Sequence, residues 1–220
     1  MSLALVLLDE MNGFYRSRLM TVLWGGLPIM AILLYFLVPE DSLAGIPFTI
    51  FASLLVGSIG ALLASVMLAV NLVNEINDHS LELFLVRPVK RWHLLASKLT
   101  AVYLCVTVAC LLALAVGIGV DVLFNGTSLE AATVGLGDSL VTTILMMGIS
   151  CSAALLIAIF SPSVLIAVIL VIFGANQLSA LVILPVMVSE FSTAMTVAVS
   201  TILCLVMLAL AVFAFQRREV

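Results

Sequence analysis

The sequence predicts an all-α integral membrane protein: six transmembrane helices, an amphipathic helix lying on the membrane surface at the N-terminus, and a short cytoplasmic helix between spans 2 and 3. Three observations predict it. Of the 220 residues, 65% are hydrophobic and only 9% charged, and mean hydropathy is +1.38, which leaves too little polar surface to cover a soluble globule. The apolar residues gather in runs of roughly 20, enough at ~1.5 Å per residue to cross ~30 Å of hydrocarbon. The charges, finally, alternate by connection. All eight basic residues (Arg16, Arg18, Arg87, Lys90, Arg91, Lys98, Arg217, Arg218) fall in one set, while the other connections carry only acids: Glu40, Asp41, Asp121, Glu130, Asp138 and Glu190. By the positive-inside rule the first set is cytoplasmic, which places both termini inside a multi-pass protein of the plasma membrane.

Each element follows in order. Residues 1–18 put Leu3, Leu7, Met11 and Phe14 on one side and Asp9, Asn12 and Arg16 elsewhere, the pattern of a helix lying in the inner membrane interface. The leading apolar run stops at Asp9-Glu10 with no basic residue before it, so it does not resemble a cleaved signal peptide, and span 1 is expected to direct insertion. Span 1 covers 19–38, with a kink expected at Pro28. Span 2, 47–72, carries small residues at Ser53, Gly57, Ala61, Ser65 and Ala69. Span 3, 99–120, repeats the device with Ala101, Cys105, Ala109, Ala113 and Gly117. Such stripes let backbones approach closely where packing replaces the hydrophobic effect, so spans 2 and 3 are expected to pack tightly together. The outer connection 121–137 holds Asn125-Gly126-Thr127, a glycosylation sequon of weak specificity. Span 4 covers 138–160, Ser161-Pro162-Ser163 turns the chain, and spans 5 and 6 cover 163–184 and 192–215.

The long polar interruption is 74–98. It holds Glu75, Asp78, Glu82, Arg87, Lys90, Arg91, Lys98 and both histidines, and at roughly 2.5–3.5 kcal/mol per central charge no span absorbs that set. Leu81, Phe84 and Leu85 fall at i, i+3 and i+4, one side of a short helix; Asn77, Asp78 or Ser80 caps its start, and Arg87 before Pro88 ends it. On these residues alone it is either a helix offered to a partner or an ordinary loop helix in the headgroup layer.

Several chemistries find no support. The two lysines lack the glycines of a phosphate-binding loop, and His79 and His93 form no His-Glu-x-x-His pair. Cys105, Cys110, Cys151 and Cys204 lie in apolar runs and read as small hydrophobes, so neither a metal site nor a disulfide framework is expected. The basic residues sit at span ends, which argues against nucleic acid as a partner. No catalytic constellation is present, and the spans are expected to lack charge, whereas ion-coupled carriers usually keep one in mid-membrane. The deepest strongly polar residues are Asn176 and Gln177 in the outer half of span 5, facing either a translocation path or a neighbouring helix.

Glu75, then Asp78-His79-Ser80-Leu81-Glu82-Leu83-Phe84-Leu85, then Arg87-Pro88-Val89-Lys90-Arg91-Trp92 and Lys98, resembles the first cytoplasmic loop of ABC transporter permeases of the second exporter type, the ABC-2-like family. The layout of the whole chain is similar to that family, including the closing tail 215–219. The sequence departs from the family's pattern at His79, Ser80 and Lys90, where glycine, threonine and a capping serine are usual. The resemblance implies that 74–98 holds a coupling helix. Glu75, Asp78, Ser80, Leu81, Glu82, Phe84, Leu85, Arg87 and Pro88 would meet a separate cytoplasmic ATPase subunit, with Leu81, Phe84 and Leu85 as apolar anchors and Glu75, Glu82 and Arg87 as polar contacts. It further implies that the chain holds no cofactor, that ATP and Mg are bound by the partner, and that two copies, or this chain with a related one, export cargo through the lipid membrane. A scaffold that recruits a cytoplasmic partner without transport is the alternative, and an intramembrane enzyme acting on lipids is a third reading that no constellation invites.

Overall fold

A computed structural model describes residues 7–8, 10–13, 18–38, 48–78, 91–124, 128, 136–180 and 193–217. Among them every regular element is helical: α1 Arg18–Leu37, α2 Phe48–Asn77, α3 Arg91–Phe124, α4 Leu136–Phe160, α5 Val164–Leu170, a π-turn Val171–Ala175, α6 Asn176–Ala180 and α7 Thr193–Arg217. Residues 7–8 and 10–13 are helical as well. Among the described residues, five helices are long and apolar enough to cross a membrane: Met20–Leu37, Phe48–Asn77, Trp92–Phe124, Leu136–Phe160 and Met195–Arg217. A sixth apolar helix, Val164–Ala180, is shorter, and its expected continuation to 184 lies outside the described residues.

The helices pack in the order α1, α3, α2, α4, α7, with α5, the π-turn and α6 filling the seam between α2 and α4. α1 turns Met20, Leu23, Leu27 and Ala31 inward at helical spacing and leaves Val22, Ile29, Leu33 and Phe36 exposed, a split that suits lipid on one side and protein on the other. It runs through Pro28, and the Trp24 indole Nε1 donates to the Cys105 carbonyl of α3 at 3.2 Å.

The small stripes of α2 and α3 are buried throughout. Their partners differ in part from the expectation. A Cβ placed on Gly60 would stand 2.7 Å from Cys110 Sγ of α3, but one on Gly57 would stand 2.5 Å from Thr143 Oγ1 of α4, and the largest face of α2 is shared with α4. The reason lies in α4 itself, whose run Ser150, Cys151, Ser152, Ala153, Ala154 is buried on every side. Short side chains there admit α2 on one flank and α7 on the other, making α4 the hub of the bundle.

Ser161-Pro162-Ser163 turns the chain as expected, with Ser161 Oγ donating to the Ile157 carbonyl at 2.9 Å and Ser163 Oγ accepting from Ile166 N–H at 3.4 Å to cap α5. α7 rests chiefly on α4, burying Thr196, Ser200, Ala211 and Phe215 and exposing a long apolar ridge that includes Val199, Ile202, Val206 and Phe213.

Candidate functional site

α2 and α3 outrun the spans expected for them. At 30 and 34 residues they are ~45 and ~50 Å long, more than ~30 Å of hydrocarbon requires. Most of the surplus falls where both helices approach the polar segment, and 121–124 extend α3 at its other end. Asn74 to Asn77 continue α2, Asp78 follows as a turn with its N–H on the Asn74 carbonyl at 2.8 Å, and α3 begins at Arg91 instead of 99. No Gly or Pro interrupts Arg91-Trp92-His93-Leu94-Leu95-Ala96-Ser97-Lys98, and Leu94 and Leu95 are buried, so tertiary packing extends the helix through residues whose charge suggests a loop. What remains between the helices is 79–90. The expected site residues Ser80, Leu81, Glu82, Phe84, Leu85, Arg87 and Pro88 lie in it, outside the described residues.

The base of that segment is built around Lys98, which is only 2% exposed. Its Nζ donates to Glu75 Oε1 at 2.5 Å and to Glu10 Oε1 at 2.7 Å. One ammonium thus joins the last turn of α2, the early part of α3 and the N-terminal helical residues. A lysine taken out of water is tolerable only where carboxylates replace its hydration, and two do so here. Beneath them Leu72, Val73, Ile76, Leu94 and Leu95 form part of the main apolar core. At the opening of α3, Trp92 and His93 meet edge to face, ring centroids 4.0 Å apart, with Trp92 exposed.

A second buried charge sits at the far end of the same helix pair. Asp121, expected in the outer connection, lies inside α3 at 1% exposure, where its Oδ2 accepts from Thr49 N–H at 2.8 Å and from the Thr49 hydroxyl. It therefore supplies an acceptor to the first turn of α2, whose N–H groups lack helical partners and whose dipole favours an anion. Lys98 and Asp121 flank the expected span 99–120 on either side, and both lie buried within the longer α3. The usable signal for Asp121 was Val122-Leu123-Phe124, which continues the apolar run after it.

The other candidate pair is divided by the helix. Asn176 is half-buried and Gln177 exposed, at the start of α6, which packs on α4. They follow a π-turn, the kind of interruption often found at functional sites. Among the described residues no group of three or more His, Cys, Asp or Glu stands close enough to hold a metal ion, and the four cysteines are free thiols.

Several long apolar helices, packed through small residues and bearing their polar elaboration on one inter-helical segment, define a multi-pass membrane protein. Residues 9–178 match the family described as ABC-2 family transporter protein, and the chain belongs to that family. It is accordingly an ABC transporter permease, a membrane transport component whose family implies association with a cytoplasmic ABC ATPase. The match runs from the N-terminal helical residues into α6, and α7 lies beyond it. No curated protein and no solved structure matches the chain.

Proposed function

We propose that the chain is the membrane-spanning half of an ATP-driven exporter, six spans with both termini cytoplasmic, working as a homodimer or with a related permease chain. The observation that carries the reading is the pair of over-long helices α2 and α3, tied at the ends that the polar segment 79–90 connects in sequence. Leu81, Phe84 and Leu85 then anchor in a groove of the ATPase subunit, with Asp78, Ser80, Glu82, Arg87 and Pro88 around them and Glu75 at the root. ATP and Mg reside in the partner. Closure of two ATPase subunits pulls the segment, the helices act as levers, and the bundle alternates between inward- and outward-open states. Work is transmitted only if the docked segment binds the two states of the ATPase pair with different free energies. Apolar walls favour an amphiphilic or lipidic cargo, with Asn176 and Gln177 the polar residues available along the pathway.

The test is Phe84→Asp. It should leave the protein inserted and folded but abolish co-purification with an ABC ATPase that the parent chain binds; undiminished association refutes the reading.

A further inference from the structure

The Lys98 cluster contains none of the expected anchors, yet it joins every element that borders the polar segment. Glu75 stands in the last turn of α2, Lys98 about two turns into α3, and Glu10 in the N-terminal helical residues; the two carboxylates meet on one buried ammonium at 2.5 and 2.7 Å. Apolar contacts below it (Leu72, Ile76, Leu95) hold the helices together but are non-directional and tolerate rotation and sliding. Charge-assisted hydrogen bonds to a shared buried ammonium resist such movement, because parting either helix from it leaves a buried charge without its partner.

We propose that Lys98 is a positioning residue for coupling: by holding Glu75 and Glu10 at once it fixes the separation and angle of the two helix ends from which residues 79–90 spring, and makes the N-terminal helix part of the same unit. Its purpose rests on the exporter reading, whereas its geometry does not. Glu75 then serves coupling from within the permease and need not touch the ATPase. Without the tie the anchors remain, so docking survives while the motion it delivers is lost in the joint.

The test uses the full chain in phospholipid nanodiscs with nitroxide labels on cysteines replacing Asn77 and Trp92, both exposed and outside the cluster; the chain without added cysteines supplies the background. Pulsed electron spin measurement should give one narrow distance distribution in the parent and in Lys98→Arg, whose guanidinium still bridges two carboxylates. Lys98→Gln should broaden it, and the exchange Glu75→Lys with Lys98→Glu, made together with Glu10→Gln so that no second carboxylate faces position 98, should narrow it again. An unchanged width in Lys98→Gln overturns the proposal. Should Lys98→Gln not be recovered folded, the exchange variant decides: a narrow distribution supports the proposal, and a broad one or no folded protein overturns it. With the ATPase bound, Lys98→Gln should keep the parent's Kd while permease-stimulated ATP turnover falls about tenfold, within the usual range of coupling between sites. Loss of binding in step with turnover would assign Lys98 a merely structural role. A parent chain that binds no ABC ATPase removes the exporter reading, and the distances still decide what the cluster does.

Discussion

Asp121 and Thr49 illustrate how much a single buried contact carries in this bundle. The carboxylate occupies the C-terminal part of α3, an unfavourable place for an anion, and is repaid by two donors at the start of α2. Asp121→Ala would leave the Thr49 N–H and hydroxyl buried without that acceptor, at a cost of about 1–3 kcal/mol. The apparent melting temperature in detergent should fall by several degrees, at about 2–4 °C per kcal/mol for a chain of this size. Asp121→Asn, whose amide oxygen still accepts, should lose less, and equal losses would show that the contact is incidental. Neither this pairing nor the Lys98 cluster was legible in the sequence. A charge at the end of an apolar run reads as surface, and its partner carries no mark of its own: Glu10 stands 88 positions from Lys98, and Asp121 stands 72 from Thr49. Burial of a charge is a property of the pair, and a linear pattern shows one member at a time.

The helices themselves were far more legible. Hydrophobic runs place α1, α4 and α7 close to the expected 19–38, 138–160 and 192–215, because long apolar stretches have few alternatives in lipid. The small-residue stripes were legible as packing surfaces but not in their pairing, since a glycine shows that a neighbour comes close and does not say which. Gly57 belongs to the α2–α4 seam, where a Cβ would meet Thr143. Gly57→Leu should therefore part α2 from α4, costing about 1–3 kcal/mol or more for forced overpacking. Disulfide crosslinking between cysteines placed at Ser53 and Leu140, both lining the small void between α2, α3 and α4, should decline sharply in that variant. Unaltered crosslinking would mean the seam is looser than the 2.5 Å approach implies.

For the whole molecule, the alternation of basic and acidic connections is the ground for the proposed orientation, with both termini cytoplasmic. A cysteine at exposed Asn77 should react with a membrane-impermeant thiol reagent only from the cytoplasmic side, and one at exposed Ser128 only from the external side. Reaction of both from one side would exclude the arrangement on which ATPase docking depends. The family match covers residues 9–178, and α7, which lies beyond it, joins the bundle through its contacts. Those contacts are chiefly with α4, the helix that α2 also grips most extensively, so α4 is the neighbour that α2 and α7 share.

The α2–α3 pair is pinned by opposite charges of opposite provenance: α3 lends an ammonium to the last turn of α2 at one end and a carboxylate to its first turn at the other, ~35 Å apart along the helix. A strut bolted at both ends resists lengthwise slip, so force on it must tip the whole beam. Under the proposed coupling, an inward nudge at one end of the pair would re-emerge at the other as an outward swing, with its amplitude set by where the pivot lies.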